Sequence, residues 1–241
     1  MYEPLNDVRP FLAVDPLQKS LLRYYIRTGH EEKKANSFAY QNTLPFLHRF
    51  LQGERLLNTQ ESADLHIQPL LLYYGFTEFL KAIILFYQPS YPETTSVLAH
   101  GLSTRKRKKK DYRFIDDEVK TQRNGLFPLL SSKMFQLTIE EGTRFKMSEL
   151  FIQLHDMESI IRHDARMIPP KNMTIVPELL THHMLLYNLS MISRYESEWW
   201  GELITSRLSQ DVPLIELYLQ QAGNRIRTLI REETLKGLIT M

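Results

Sequence analysis

Apolar positions recur at helical spacing along almost the whole chain. Leu17, Leu21, Leu22 and Tyr25 share one face behind an Asp15-Pro16 start signal, and Gly29 marks the stop. A second helix is read from Ser37 to Gly53, with Pro45 kinking or dividing it. Tyr40, Leu44, Leu47 and Leu51 are its expected apolar face. From Pro69 to Tyr87 apolar residues occupy nearly every side, as in a helix at the centre of a bundle. Gln88-Pro89-Ser90-Tyr91-Pro92 ends it, and Thr94 or Thr95 opens a short helix through Leu98.

Between 134 and 147 the period changes to two. Phe135, Leu137 and Ile139 alternate with Gln136, Thr138 and Glu140, Glu141-Gly142 turns the chain, and Thr143 to Met147 returns: a β-hairpin. Ser148 is expected to cap a helix holding Leu150, Phe151 and Leu154. Arg162 to Met173, with Pro169-Pro170, reads as a linker. Pro177 then opens a long helix reaching Leu208, and Asp211-Val212-Pro213 starts the last one, with Leu214, Leu217 and Tyr218 inward. The expected fold is therefore all-α, a helical bundle with one small hairpin at 134–147. Residues 1–60 supply helices packed on a bundle formed by 61–241, as one compact unit.

Composition narrows the possibilities. With 241 residues, 43% hydrophobic and 24% charged, the chain can bury a sizeable core. A net charge of +2 is too small for a general nucleic-acid coat, so any electrostatic partner must be recognised locally. Cysteine is absent, which excludes disulfides, thiolate metal sites and cysteine nucleophiles and suits a reducing cytoplasm. The first sixteen residues have no basic segment followed by an apolar run, so no signal peptide is expected. Leu70 to Tyr87 approaches bilayer-spanning length, but Glu78 and Lys81 interrupt it, and a Lys at mid-membrane costs roughly 2.5–3.5 kcal/mol. A buried core helix is expected, and no membrane.

The strongest local bias is a run of six cations: Arg105, Lys106, Arg107, Lys108, Lys109 and Lys110. Like charges repel, so opposing charge must lie nearby, and Asp111, Asp116, Asp117 and Glu118 follow at once. A solvated loop, a phosphate or nucleic-acid contact and an acidic protein surface all remain open. Aromatic interleaving for base stacking is limited to Tyr112 and Phe114. His100 precedes Gly101 at the head of this segment, placed either to meet an anion or to bond backbone from a buried position.

His183, Tyr187, Ser190, Arg194 and Glu198 form a polar stripe on the long helix, a solvated face or a groove. Arg194 and Glu198 are spaced for an ion pair. Neither His182 nor His183 has a second ligand at i+4, so no metal site is expected. Trp199 and Trp200 point about 100° apart. One can be core while the other marks an interface. No Gly-rich phosphate loop, Ser/His/Asp triad or cluster of metal-binding carboxylates is found, so no catalytic residue and no cofactor is assigned.

The run SVLAHGLSTRKRKKKDYRFIDDEVKTQRNGLF, with LLLYYGFTEFLKA upstream and LLYNLSMISRYESEWW downstream, resembles the YaaC-like proteins across most of residues 60–220. That family is longer, and here the interval before the C-terminal helices is compressed to residues 155–175. The family is similar to the HEPN helical proteins, whose tyrosine-rich central helix leads to a His-Gly dipeptide, matched by Tyr73, Tyr74, His100 and Gly101. Many HEPN proteins are metal-independent ribonucleases in which an Arg and a following His meet a second copy at a dimer interface. There His moves the proton and Arg stabilises the phosphate. The matching place is Arg194 to Gly201, where Tyr195 replaces the polar neighbour and Trp199, Trp200 and Gly201 stand where the His would be. The spacing also occurs from Arg23 to His30, in a different helix and with Tyr24 after the Arg, as chance allows.

What the resemblance implies is thus a cytoplasmic, non-catalytic regulator that binds an anionic partner. It also implies a homodimer through the long helix and, from gene neighbourhood, IMP dehydrogenase as a partner. The competing expectation is a HEPN-type ribonuclease or an RNA- or nucleotide-binding protein.

Overall fold

The computed structural model describes residues 5–104, 112–161, 167–207 and 209–239. The basic run Arg105 to Lys110, with Asp111, lies outside the described residues, as do residues 162–166 of the expected linker. The described residues are 69% helical, with a small three-stranded antiparallel sheet.

Helix α1 (Val14–Arg27) buries Leu17, Leu21 and Tyr25 as their spacing predicts, with Asp15 and Pro16 inside its first turn. Helix α2 (Glu32–Glu61) is longer than expected at both ends and continues through Pro45. Its buried face also differs. Ala35, Ala39, Phe46, Phe50 and Leu57 point inward, while Tyr40 is 76% and Leu44 51% exposed. Two apolar stripes compete on this helix, and backbone approach selects between them. A Cβ on Gly53 would lie 2.9 Å from the Gly75 carbonyl oxygen, so only a glycine on that face lets α2 meet α3 (Gln68–Tyr87) so closely. The chosen stripe flanks Gly53, and Tyr40 and Leu44 are left outside.

Helix α3 is central, buried from Leu72 to Phe86 apart from Tyr74, Glu78 and Lys81. It is long and apolar enough to cross a membrane, yet two thirds of its apolar stretch is buried inside the protein, as in the core helix of a soluble protein.

The sheet corrects the expected hairpin. Strand β1 (Leu102–Ser103) pairs with β2 (Glu118–Thr121), and β2 pairs with β3 (Arg144–Lys146), with Val119 opposite Phe145. Only the returning half of the 134–147 segment is a strand, and its partner lies upstream. Phe135 instead closes helix α4 (Leu126–Phe135), because Phe127, Leu130 and Ser131 continue a helical period into the core. Gln136 then turns left-handed at φ 54°, and the alternation from 135 to 139 never enters a ladder.

Helix α5 (Met147–Ile152) and the short α6 (Glu158–Ile161) follow. The long helix expected from Pro177 is two helices, α7 (Glu178–Tyr195) and α8 (Ser197–Ser206), divided at Glu196, whose φ −120° and ψ 43° are not helical. Helix α9 (Asp211–Leu238) closes the fold against α3. One buried cluster runs through these elements from Leu5 to Leu238, with Ile161 of α6 packed against it.

Candidate functional site

A pair of glycines builds the site. Gly101 sits at φ +77° and Gly125 at φ +129°. A Cβ on Gly125 would lie 2.8 Å from the Ala99 carbonyl oxygen, so the two loops pass with no room for a side chain. The loop is held by backbone bonds. The Leu126 N–H donates to the Ala99 carbonyl (2.8 Å), that of Phe127 to His100 (3.1 Å) and that of Gln122 to Gly101 (3.0 Å).

This clamp lays the His100 ring over α3. His100 Nδ1 lies 2.7 Å from the Tyr73 hydroxyl, and its ring is 5.5 Å from both the Tyr73 and Tyr187 rings. Tyr187, on α7, donates its hydroxyl to the Leu102 carbonyl at 2.9 Å, tying α7 to β1. Burial first, then Lys81 and Arg194, lower the His100 pKa, so the imidazole is neutral at pH 7. Burial pushes the Tyr73 hydroxyl up, so the phenol stays protonated. The Tyr73 O–H can then donate to Nδ1, which leaves the ring proton on Nε2.

Cations surround this pair. Arg194, in the last turn of α7, donates from Nη1 to the Tyr74 hydroxyl at 2.5 Å and lies 4.5 Å over the Tyr195 ring. On the same face of α3 as Tyr74, one and two turns on, stand Glu78 and Lys81, with Lys81 Nζ 2.8 Å from Glu78. Arg49 of α2 reaches Glu78 from the other side at 3.1 Å. Arg49, Lys81 and Arg194 thus line one seam along α3, with Glu78 between them and His100 at its edge.

The expected polar stripe on the long helix does not form a groove. His183 and Ser190 are buried, Tyr187 is buried against the His100 loop, and only Arg194 and Glu198 reach the surface. Arg194 and Glu198 make no ion pair, because the break at Glu196 removes their helical spacing. His183 is packed between Tyr73 (5.6 Å) and Phe127 (6.1 Å), with neither ring nitrogen hydrogen-bonded, and burial drives its pKa down to about 3. Trp200 is core, its Nε1–H donating to the His66 carbonyl at 3.1 Å. It offers no interface. Trp199 is half-buried, its ring 4.6 Å from that of Tyr112.

The acids after the basic run have partners within the fold. Asp116 pairs with Arg113 at 2.6 Å and Glu118 with Arg144. Asp117 is buried and accepts from the Tyr112 hydroxyl (2.7 Å) and the Asn188 amide (3.1 Å). Among the described residues no group of three or more His, Asp or Glu is placed to hold a metal ion.

Another network escaped the sequence reading. Glu178 sits four residues before His182 and 3.5 Å from its Nε2, while Arg225 grips both Glu178 oxygens at 2.5–2.6 Å. The Arg225 bonds, then the one from His182, hold the Glu178 carboxyl at about 2. Looking for a carboxylate at i−4 as well as i+4 would have found it.

The fold and site define a mostly helical protein whose buried central helix presents a tyrosine–histidine pair beside a cationic seam. The YaaC-like protein family model matches residues 9–173 and 161–234, and the chain belongs to that family. The two matches overlap at 161–173. No curated protein and no solved structure matches the chain.

Proposed function

We propose that this YaaC-like protein is a cytoplasmic, non-catalytic regulator, a HEPN-like module that binds an anionic partner through the seam along α3. The observation that carries the reading is the alignment of Arg49, Lys81 and Arg194 on one face, with Glu78 as the carboxylate between them. In the sequence the six cations of 105–110 fall between Ser103, which is paired in the sheet, and Tyr112, which packs on Trp199. An acidic protein surface or a nucleotide phosphate is the matching chemistry. IMP dehydrogenase is the partner to test first. Co-elution of the two purified proteins, lost on neutralising Lys81 and Arg194, supports the assignment, and separate elution at low salt removes that enzyme.

A ribonuclease reading has one observation in its favour. A neutral His100 beside two cations is a competent acid–base group for phosphodiester chemistry. Against it, Nδ1 is engaged by Tyr73, and the positions five to seven residues after Arg194 hold Trp199, Trp200 and Gly201 rather than a histidine. Labelled RNA that stays intact with the wild type supports the binding reading. Cleavage abolished by His100→Ala establishes the nuclease.

The protein further self-associates, in this reading, at the α7–α8 corner. Tyr195 is 59% exposed there, and Met191 and Trp199 are half-buried beside it.

A further inference from the structure

Independently of the residues used above, α2, α3 and α9 line an open cavity of about 210 Å³ walled by polar side chains. That is more than one water needs and less than the ~300 Å³ of the smallest drug-sized sites. Gly223 forms part of its wall, with Gln60 Oε1 and Arg227 Nη1 3.1 and 3.5 Å from where a Cβ would stand. Gln60 is only 6% exposed, and its Oε1 stands at the cavity wall.

Arg227 supplies the charge. Its side chain is 7% exposed, and Nη2 is held by Asn58 (3.0 Å) and Glu61 (2.7 Å), while Nη1 faces the cavity. Glu61 is 61% exposed at the rim and can turn away without burying charge. The wall therefore offers one fixed cation, one movable carboxylate and the amides of Gln60, Gln68 and Asn224. A zwitterion matches that charge pattern: its carboxylate takes the Arg227 donors and its ammonium takes Glu61, with no net charge to bury. The amides then have donors and acceptors to offer a polar side chain.

We infer that this cavity is a binding site for a free polar α-amino acid. Isothermal titration of the full-length protein with L-glutamine, L-asparagine and L-glutamate is the test. At least one binds saturably at millimolar concentration or below. Gln60→Leu removes the amide at similar volume. It weakens that binding by about tenfold or more, the equivalent of one good hydrogen bond, and melts no lower than the wild type. Gly223→Ala, which narrows the cavity, weakens it too. Absence of binding by all three amino acids overturns the proposal, as does unchanged affinity in Gln60→Leu.

Discussion

Tyr73 and His100 lie 27 positions apart, and their side chains meet at 2.7 Å. The contact joins the buried central helix to the loop that leads into the basic run, and it fixes which imidazole nitrogen faces outward. Everything proposed for this face depends on that loop being rigid.

Gly125→Ala tests the rigidity. Gly125 and Gly142 both have positive φ, so alanine at either carries left-handed strain of about 1–3 kcal/mol. At Gly142 the nearest atom to a Cβ is 3.5 Å away, whereas at Gly125 the backbone of the His100 loop is in the way. Urea unfolding therefore finds Gly125→Ala less stable than Gly142→Ala by a further 1 kcal/mol or more, on the order of an overpacking cost. Equal losses would mean that the loop yields.

Stability falls with acid through His183. Its imidazole titrates near 3 in the folded chain and near 6.5 when unfolded, so the unfolded state takes up the proton first. The contribution is fully present above pH 6.5 and is lost as pH falls toward 3, at up to about 1.4 kcal/mol per pH unit. Glu178 acts in the same direction but lower, between 4.5 and about 2. His183→Leu, which also removes two unpaired buried nitrogens, should flatten the profile between pH 6.5 and 4.5 and match or exceed wild-type stability at pH 7. An unchanged slope in that window would show that His183 is not the group responsible.

Trp200 and Tyr195 separate core from interface. Trp200→Ala removes a fully buried ring and costs about 3–5 kcal/mol in denaturant. Tyr195→Ala removes an exposed one and leaves protomer stability within about 0.5 kcal/mol. Light scattering at micromolar concentration gives a dimer mass for the wild type and a monomer mass for the Tyr195→Ala, Trp199→Ala double variant. A wild-type monomer refutes the dimer.

The sequence reading succeeded where one pattern had no competitor. Leu17, Leu21 and Tyr25 define α1, and the all-round apolar run defines α3 nearly to the residue. It failed on α2 because Tyr40 and Leu44 make as good a stripe as Phe46 and Phe50, and the choice rests on Gly53 meeting Gly75, a tertiary fact. The hairpin failed similarly: β3 finds its partner more than twenty residues upstream, which local alternation cannot reveal. At the site, family resemblance singled out Tyr73, Tyr74, His100 and Arg194, and two of their mutual contacts cross between elements. Lys81, Glu78 and Arg49 were invisible as site residues, because on sequence they interrupt or flank an apolar helix.

The central claim is that the α3 seam binds an anion without chemistry. Fluorescence anisotropy against a labelled nucleoside triphosphate and a labelled poly-glutamate peptide, over a salt series, tests it most directly. The account predicts that at least one binds, that its affinity falls with salt, and that Lys81→Met with Arg194→Gln weakens it by about tenfold or more, with the nucleotide recovered intact. No binding to either probe at low salt, or affinity unchanged in the double variant, would contradict it.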